Sequence, residues 1–158
     1  MNKNKTRNLV EAAIVAALYI ALTLVSKPLT IGFVEIRFSE ALTVLPFFMP
    51  SAVWGLFVGC FIANLFSGSI VDVVIGSLAT LIGAYLTSKI KIKYLCPLPT
   101  VLSNTILIPF VIMTYAKEWS PSAYFLTAGG VFASEIASAY ILGLILLLVL
   151  EKRKIFKR

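Results

Sequence analysis

VEIRFSEALTVLPFFMPSAVWGLFVGCFIANLFSGSIVDVVIGSLATL, residues Val34 to Leu81, is the stretch that decides the fold. Glu35, Arg37 and Glu40 fall within its first seven residues. Ala41 to Val71 follow, 31 residues without an acidic or basic side chain, and then come Asp72 and the small-residue run Gly76-Ser77-Leu78-Ala79-Thr80. A hydrocarbon core of ~30 Å needs only about 20 apolar residues in a helix, so a single helix here would overshoot the bilayer. Proline removes a backbone donor and disfavours helix in the residue before it. Pro46 and Pro50 therefore divide the run into two short helices. Polar residues at both ends of an apolar stretch of double length predict a buried polar site at one membrane face. The expectation is a small membrane-embedded solute binder.

The whole chain agrees. Its 158 residues are 59% hydrophobic and 13% charged, with mean hydropathy +0.97, whereas soluble domains carry about 25% charged residues. The expected architecture is one all-α integral membrane domain, a bundle of six transmembrane helices at about 8–25, 37–48, 51–66, 72–88, 97–116 and 121–150. The basic, then apolar, beginning MNKNKTRNLVEAAIVAAL resembles a signal peptide. Its apolar run continues to Val25 without a small-x-small cleavage pattern before the next charge, so it is read as the first span. Cys60 and Cys96 stand apart with no metal spacing and are read as small buried hydrophobes. Histidine is absent, which removes the commonest general base and metal ligand.

Charge sets the topology. Six spans put both termini on one side, with Lys3, Lys5, Arg7, Lys89, Lys91, Lys93, Lys152, Arg153, Lys154, Lys157 and Arg158 against Glu11 and Glu151, a net of +9. The opposite side and outer halves hold Lys27, Arg37 and Lys117 against Glu35, Glu40, Asp72, Glu118 and Glu135, a net of −2. Positive residues stay on the cytoplasmic side, so both termini are expected there. A five-span chain would split its basic ends between the two faces.

Local signals fill in the elements. Lys27-Pro28 ends the first helix, and a loop containing Gly32 leads to the second. Ser69-Ile-Val-Asp72 has capping-box spacing, so Asp72 is either a helix cap or a site residue. Pro97 and Pro99 open the fifth helix and Pro109 is expected to kink it, while Asn104 reads as helix–helix glue. Ser120-Pro121 starts the sixth. In the first helix, Ala12 and Ala16, and Ala13, Ala17 and Ala21, recur every four residues, a spacing that lets helices approach closely in lipid. Those rows serve either internal packing or a second membrane subunit.

Candidate site residues gather at the outer end: Arg37, Glu40, Asn64, Asp72, Lys117, Glu118 and Trp119. Glu135 differs from these, lying about four turns inside the last helix among Gly129, Gly130, Ala133, Ser134, Ala137 and Ser138. An intramembrane carboxylate costs roughly 2.5–3.5 kcal/mol on insertion scales and marks a functional site by default. The alternative is a structural pair with Arg37 or a lysine. Tyr115, Trp119 and Tyr124 either anchor the interface or stack on a planar ligand. No GxxxxGK[ST], HExxH or GxSxG motif occurs. No catalysis, metal site or nucleic-acid partner is expected.

RFSEAL (Arg37–Leu42), LPFFMPSAVWGLFVGC (Leu45–Cys60), ANL (Ala63–Leu65), DVVIGSLATL (Asp72–Leu81) and SEIASAYILGL (Ser134–Leu144) resemble the QueT family of queuosine-precursor transporters, substrate-binding S components of energy-coupling factor (ECF) transporters. The resemblance implies a six-helix S component in the plasma membrane of a prokaryote, with its site under the loop joining helices one and two. Its partners would be a transmembrane T component and two cytoplasmic ATPases that bind ATP and magnesium, leaving no cofactor in this chain. Ala12, Ala13, Ala16 and Ala17 are similar to the AxxxA face on which such subunits dock. The implied substrates are 7-deazaguanines: preQ1, preQ0 or queuine. Glu135 would then accept from N1–H and the 2-amino group, Asn64 or Arg37 would donate to the ring carbonyl, Glu40 or Asp72 would meet an aminomethyl cation, and Trp119 or Tyr124 would cover the ring. The competing readings are an S component for another planar vitamin or nucleobase, and a structural membrane protein whose buried charges merely pair.

Overall fold

The computed structural model describes residues 3–31, 34–66 and 69–153. Gly32 of the first loop and the tail residues Lys154, Lys157 and Arg158 lie outside them. Helix α1 spans Lys3–Ser26, α2 Ala52–Leu65, α3 Ile70–Lys89 and α4 Leu98–Ala116. Helix α5, Pro121–Glu135, runs through a π-helical turn, Ile136–Ile141, into α6, Leu142–Lys152. Between α1 and α2 lie a pair of two-residue antiparallel strands, Thr30–Ile31 (β1) and Val34–Glu35 (β2), and a 3-10 helical segment, Phe38–Phe47. Among the described residues four stretches are long and apolar enough to cross a membrane: Asn4–Ser26, Ile70–Lys89, Lys93–Ala116 and Pro121–Lys152. The 3-10 segment and α2 are shorter apolar helices.

The predicted second helix is 3-10 rather than α. Ten residues at about 2.0 Å rise reach ~20 Å, against ~15 Å as an α-helix, so the tighter winding stretches a short segment further across the bundle. Pro46 lies within it. Thr43 Oγ1 donates to the Glu40 carbonyl at 2.6 Å, and the chain leaves the segment through Phe48 N–H donating to Leu45 O at 2.9 Å. Caps foreseen in the sequence are formed: Ser69 Oγ accepts from Asp72 N–H at 3.3 Å and Ser120 Oγ from Ala123 N–H at 3.2 Å.

Side-chain contacts fix the directions of the segments. Tyr19 and Thr23 of α1 meet Glu40 and Ser39, so the 3-10 segment runs back along α1. Added Cβ atoms at Gly55 and Gly59 would strike Ala12 and Ala16, so α2 runs parallel to α1. Cys60 and Asn64 meet Thr80 and Asp72, turning α3 antiparallel to α2. Thr87 meets Cys96, Asn104 meets Glu135, and Tyr124 meets Ile106, which continues the alternation through α4 and α5. At the far end Lys93 Nζ and Glu151 Oε2 pair at 3.0 Å.

The core lies where α1, the 3-10 segment and α2 converge, around Val15, Tyr19, Leu42, Leu45, Ala52, Leu56 and Cys60. A smaller cluster joins Val44, Cys96 and Leu147. Cys60 and Cys96 are both buried, as read from the sequence. Leu9, Ile14, Leu18, Leu78, Ile82, Leu102, Ile106 and Phe132 face outward, an apolar girdle suited to lipid.

Candidate functional site

Of the charged residues predicted at one end of the bundle, Arg37, Glu40, Asp72 and Glu135 converge on a partly open cavity of about 150 Å³, and Lys117 and Glu118 are not in its lining. Arg37, Glu40, Asp72, Asn104, Ser134 and Glu135 supply its polar lining, with Ile108, Val111, Ile112, Tyr115 and Val131 among its apolar walls. Each polar group reaches it by a different route. Arg37 stands just before the 3-10 segment, its backbone N–H donating to Ser138 Oγ of the π turn at 3.2 Å. Glu40, one turn into that segment, is 2% exposed and receives the Tyr19 hydroxyl on Oε1 at 2.5 Å. Asp72 occupies the first turn of α3, so it lines the cavity and sits in the Ser69 cap at once.

Asn64 lies behind this lining. Its Oδ1 accepts from Arg37 Nη1 at 3.5 Å and its Nδ2 donates to the Asp72 carbonyl at 3.1 Å, bridging the guanidinium to the start of α3. On the opposite wall Asn104 Nδ2 donates to Glu135 Oε1 at 2.8 Å. Glu135 is 8% exposed and is the last residue before the π-helical turn. Such turns occur mostly as single insertions and frequently at functional sites. Of the small residues around Glu135, Ser134 lines the cavity and Ser138 holds Arg37, whereas Gly129 and Ala133 face outward.

The cavity brings Arg37, Glu40, Asp72 and Glu135 together and leaves the two expected aromatics aside. Trp119 is 64% exposed. Tyr124 packs against Phe110, ring centroids 5.2 Å apart, and donates its hydroxyl to the Ile106 carbonyl. Tyr115, read in the sequence beside them, is the aromatic that lines the cavity. Asn104, read in the sequence as helix–helix glue, does join α4 to α5 through Glu135, and it lines the cavity as well. Its spacing to Ile108, Val111, Ile112 and Tyr115 follows one helical face, the signal by which it could have been found.

The alanine rows of α1 divide. Ala12 and Ala16 are covered by Gly55 and Gly59 of α2, and Ala13 and Ala17 are exposed. With three carboxylates and one guanidinium, the lining suits a ligand that offers several hydrogen-bond donors and tolerates or carries positive charge. Among the described residues no group of three or more His, Cys, Asp or Glu side chains is placed to hold a metal ion.

The family model for the QueT transporter matches residues 9–152. The chain is 37% identical over 100 residues to the queuosine precursor transporter QueT of Lactococcus lactis subsp. cremoris (strain MG1363), an alignment that covers 60% of this chain and 59% of that relative. No solved structure matches the chain.

Proposed function

The chain belongs to the QueT transporter family, and from that premise we propose that it is the substrate-binding S component of an ECF-type importer for a queuosine precursor: preQ1, preQ0 or queuine. It would sit in the plasma membrane of a prokaryote as a six-pass subunit with both termini cytoplasmic, the orientation that the positive-inside pattern favours. A transmembrane T component and two ATPases would supply the energy. The carboxylate-rich cavity carries this reading.

A 7-deazaguanine presents N1–H and a 2-amino group side by side, and one carboxylate can accept from both. Glu135 has that role. Arg37 lines the cavity while Asn64 is engaged behind it, so Arg37 is the donor to the ring carbonyl and Asn64 its support. Glu40 and Asp72 face the substituent at the 7-position, where the aminomethyl cation of preQ1 needs an anion. Tyr115 replaces Trp119 and Tyr124 as the side chain best placed against the ring. The exposed Ala13 and Ala17 are the row left for docking on the T component.

Titration of the purified protein with preQ1 tests the assignment. Saturable binding is expected, with adenine failing to compete, because adenine lacks the N1–H and 2-amino donors. Glu135→Gln, which keeps the volume and removes the charge, is expected to weaken binding about 100-fold or more while the thermal unfolding profile stays close to that of the parent, since truncating a charged hydrogen-bond partner in a dry site costs several kcal/mol. No saturable binding by the parent protein, or undiminished affinity in Glu135→Gln, would contradict it.

A further inference from the structure

We propose that Asn104 is a specificity-determining contact of this site, its side-chain oxygen reading the 2-amino group of the ligand. The inference rests on the guanine-type reading above and adds a residue to it.

Glu135 fixes the orientation of the Asn104 amide. Asn104 Nδ2 donates to Glu135 Oε1 at 2.8 Å, which matches the acceptor role that the functional reading gives Glu135. The carbonyl oxygen then occupies the other branch of the amide. Asn104 is 3% exposed, and its Oδ1 has no hydrogen-bond partner among the described residues. Leaving a buried acceptor unmet costs about 1–3 kcal/mol. The residue also lines the cavity, so the group that meets this oxygen arrives there.

The chemistry of that group follows from the neighbouring carboxylate. Glu135 and Asn104 Oδ1 together form a surface of acceptors bonded to one another through the amide nitrogen. A planar heterocycle that sets N1–H and one amino hydrogen against Glu135 has its second amino hydrogen left, directed to the side. Asn104 Oδ1 accepts it. The pair thereby separates 2-amino-pyrimidinone rings from those that have the ring N–H and no amino group.

The test compares preQ1 with its 2-desamino counterpart by titration on three proteins. The parent should prefer preQ1 by about tenfold or more, because a site built around a hydrogen bond strongly rejects the analogue that lacks it. Asn104→Leu, similar in size and without an acceptor, keeps the Glu135 bond to the amino group and loses the second bond, so its preference for preQ1 should fall to about a third of the parent's or less. Asn104→Asp keeps an oxygen in place and loses the donor to Glu135. It should retain the preference for preQ1 even if both affinities fall, and it serves where the leucine variant does not fold. A preference undiminished in Asn104→Leu, or one that falls as far in Asn104→Asp as in Asn104→Leu, would overturn the direct contact and leave the wider functional reading standing. A parent protein that binds neither compound would overturn both.

Discussion

Gly76 shows how little slack the site has. A Cβ added there would lie 2.7 Å from Asn64 Nδ2 and 3.0 Å from Asp72 Oδ1, so the bridge from Arg37 through Asn64 to Asp72 exists because residue 76 has no side chain. Gly76→Ala should gain up to about 1 kcal/mol of helix propensity and lose a similar amount as the Asn64 amide is pushed from the Asp72 carbonyl. Thermal stability should therefore change little, while preQ1 affinity falls about tenfold as Arg37 loses its support. Unaltered affinity in that variant would show that the bridge does not hold the guanidinium. Much of this residue-level pattern was legible. Glu135 and Asp72 stand out because a carboxylate within or beside an apolar span is costly and must have a reason. Asn104 was not legible, because an amide in a lipid-buried helix is equally suited to binding a neighbouring helix. The choice of Tyr115 over Trp119 depended on where α4 ends and how it is rotated, which the run Tyr115-Ala-Lys-Glu-Trp119 does not state. Lys117 closes α4 in the left-handed conformation, and Trp119 emerges beyond it into the open.

At the scale of elements, α1 carries two rows of alanine that differ in what covers them. Ala12 and Ala16 let α2 approach until Gly55 and Gly59 touch the α1 backbone: a Cβ on Gly55 would be 2.5 Å from the Ala12 carbonyl oxygen, and one on Gly59 3.0 Å from Ala16 Cα. Ala13 and Ala17, a little over a quarter-turn away, are exposed. Tryptophan at the two rows should therefore fail differently. Ala16→Trp should disrupt the α1–α2 contact and lower the unfolding temperature, since overpacking a tight interface costs typically 1–3 kcal/mol. Ala13→Trp should leave preQ1 binding intact and abolish uptake in cells that supply the partner subunits. Loss of binding in Ala13→Trp would mean that this row belongs to the protein's own interior. The repeat of alanines was visible in the sequence; which row faced inward was not, because both have the same spacing and α2 had to be placed first. The 3-10 winding of Phe38–Phe47 had only an indirect signal, a proline-bounded segment too short to span. The π turn after Glu135 had none.

The whole molecule separates its charges by end. Arg7 and Glu11 pair at one end of α1, Glu11 accepts from Ser51 Oγ at the start of α2, and Lys93 pairs with Glu151. At the opposite end Lys27 reaches the Phe66 carbonyl, close in sequence to Asn64 and the Asp72 helix start. Alternating chain direction brings the polar groups of α3, α4, α5 and the 3-10 segment into one cavity. Hydropathy and charge were enough to read an all-helical membrane architecture and the polar end of it, because both follow from the cost of burying charge in lipid. The tilt and rotation of helices that define the cavity's shape depend on packing among side chains far apart in sequence. The central claim is that this cavity holds a queuosine precursor, and the identity of the molecule that leaves the cell with the protein tests it most directly. Protein purified from cells supplied with preQ1 and related bases, denatured and extracted for mass spectrometry, should release a 7-deazaguanine in near-equimolar amount, and the Glu135→Gln protein should release almost none. A different heterocycle in the extract of the parent protein, or no small molecule at all, would contradict the account.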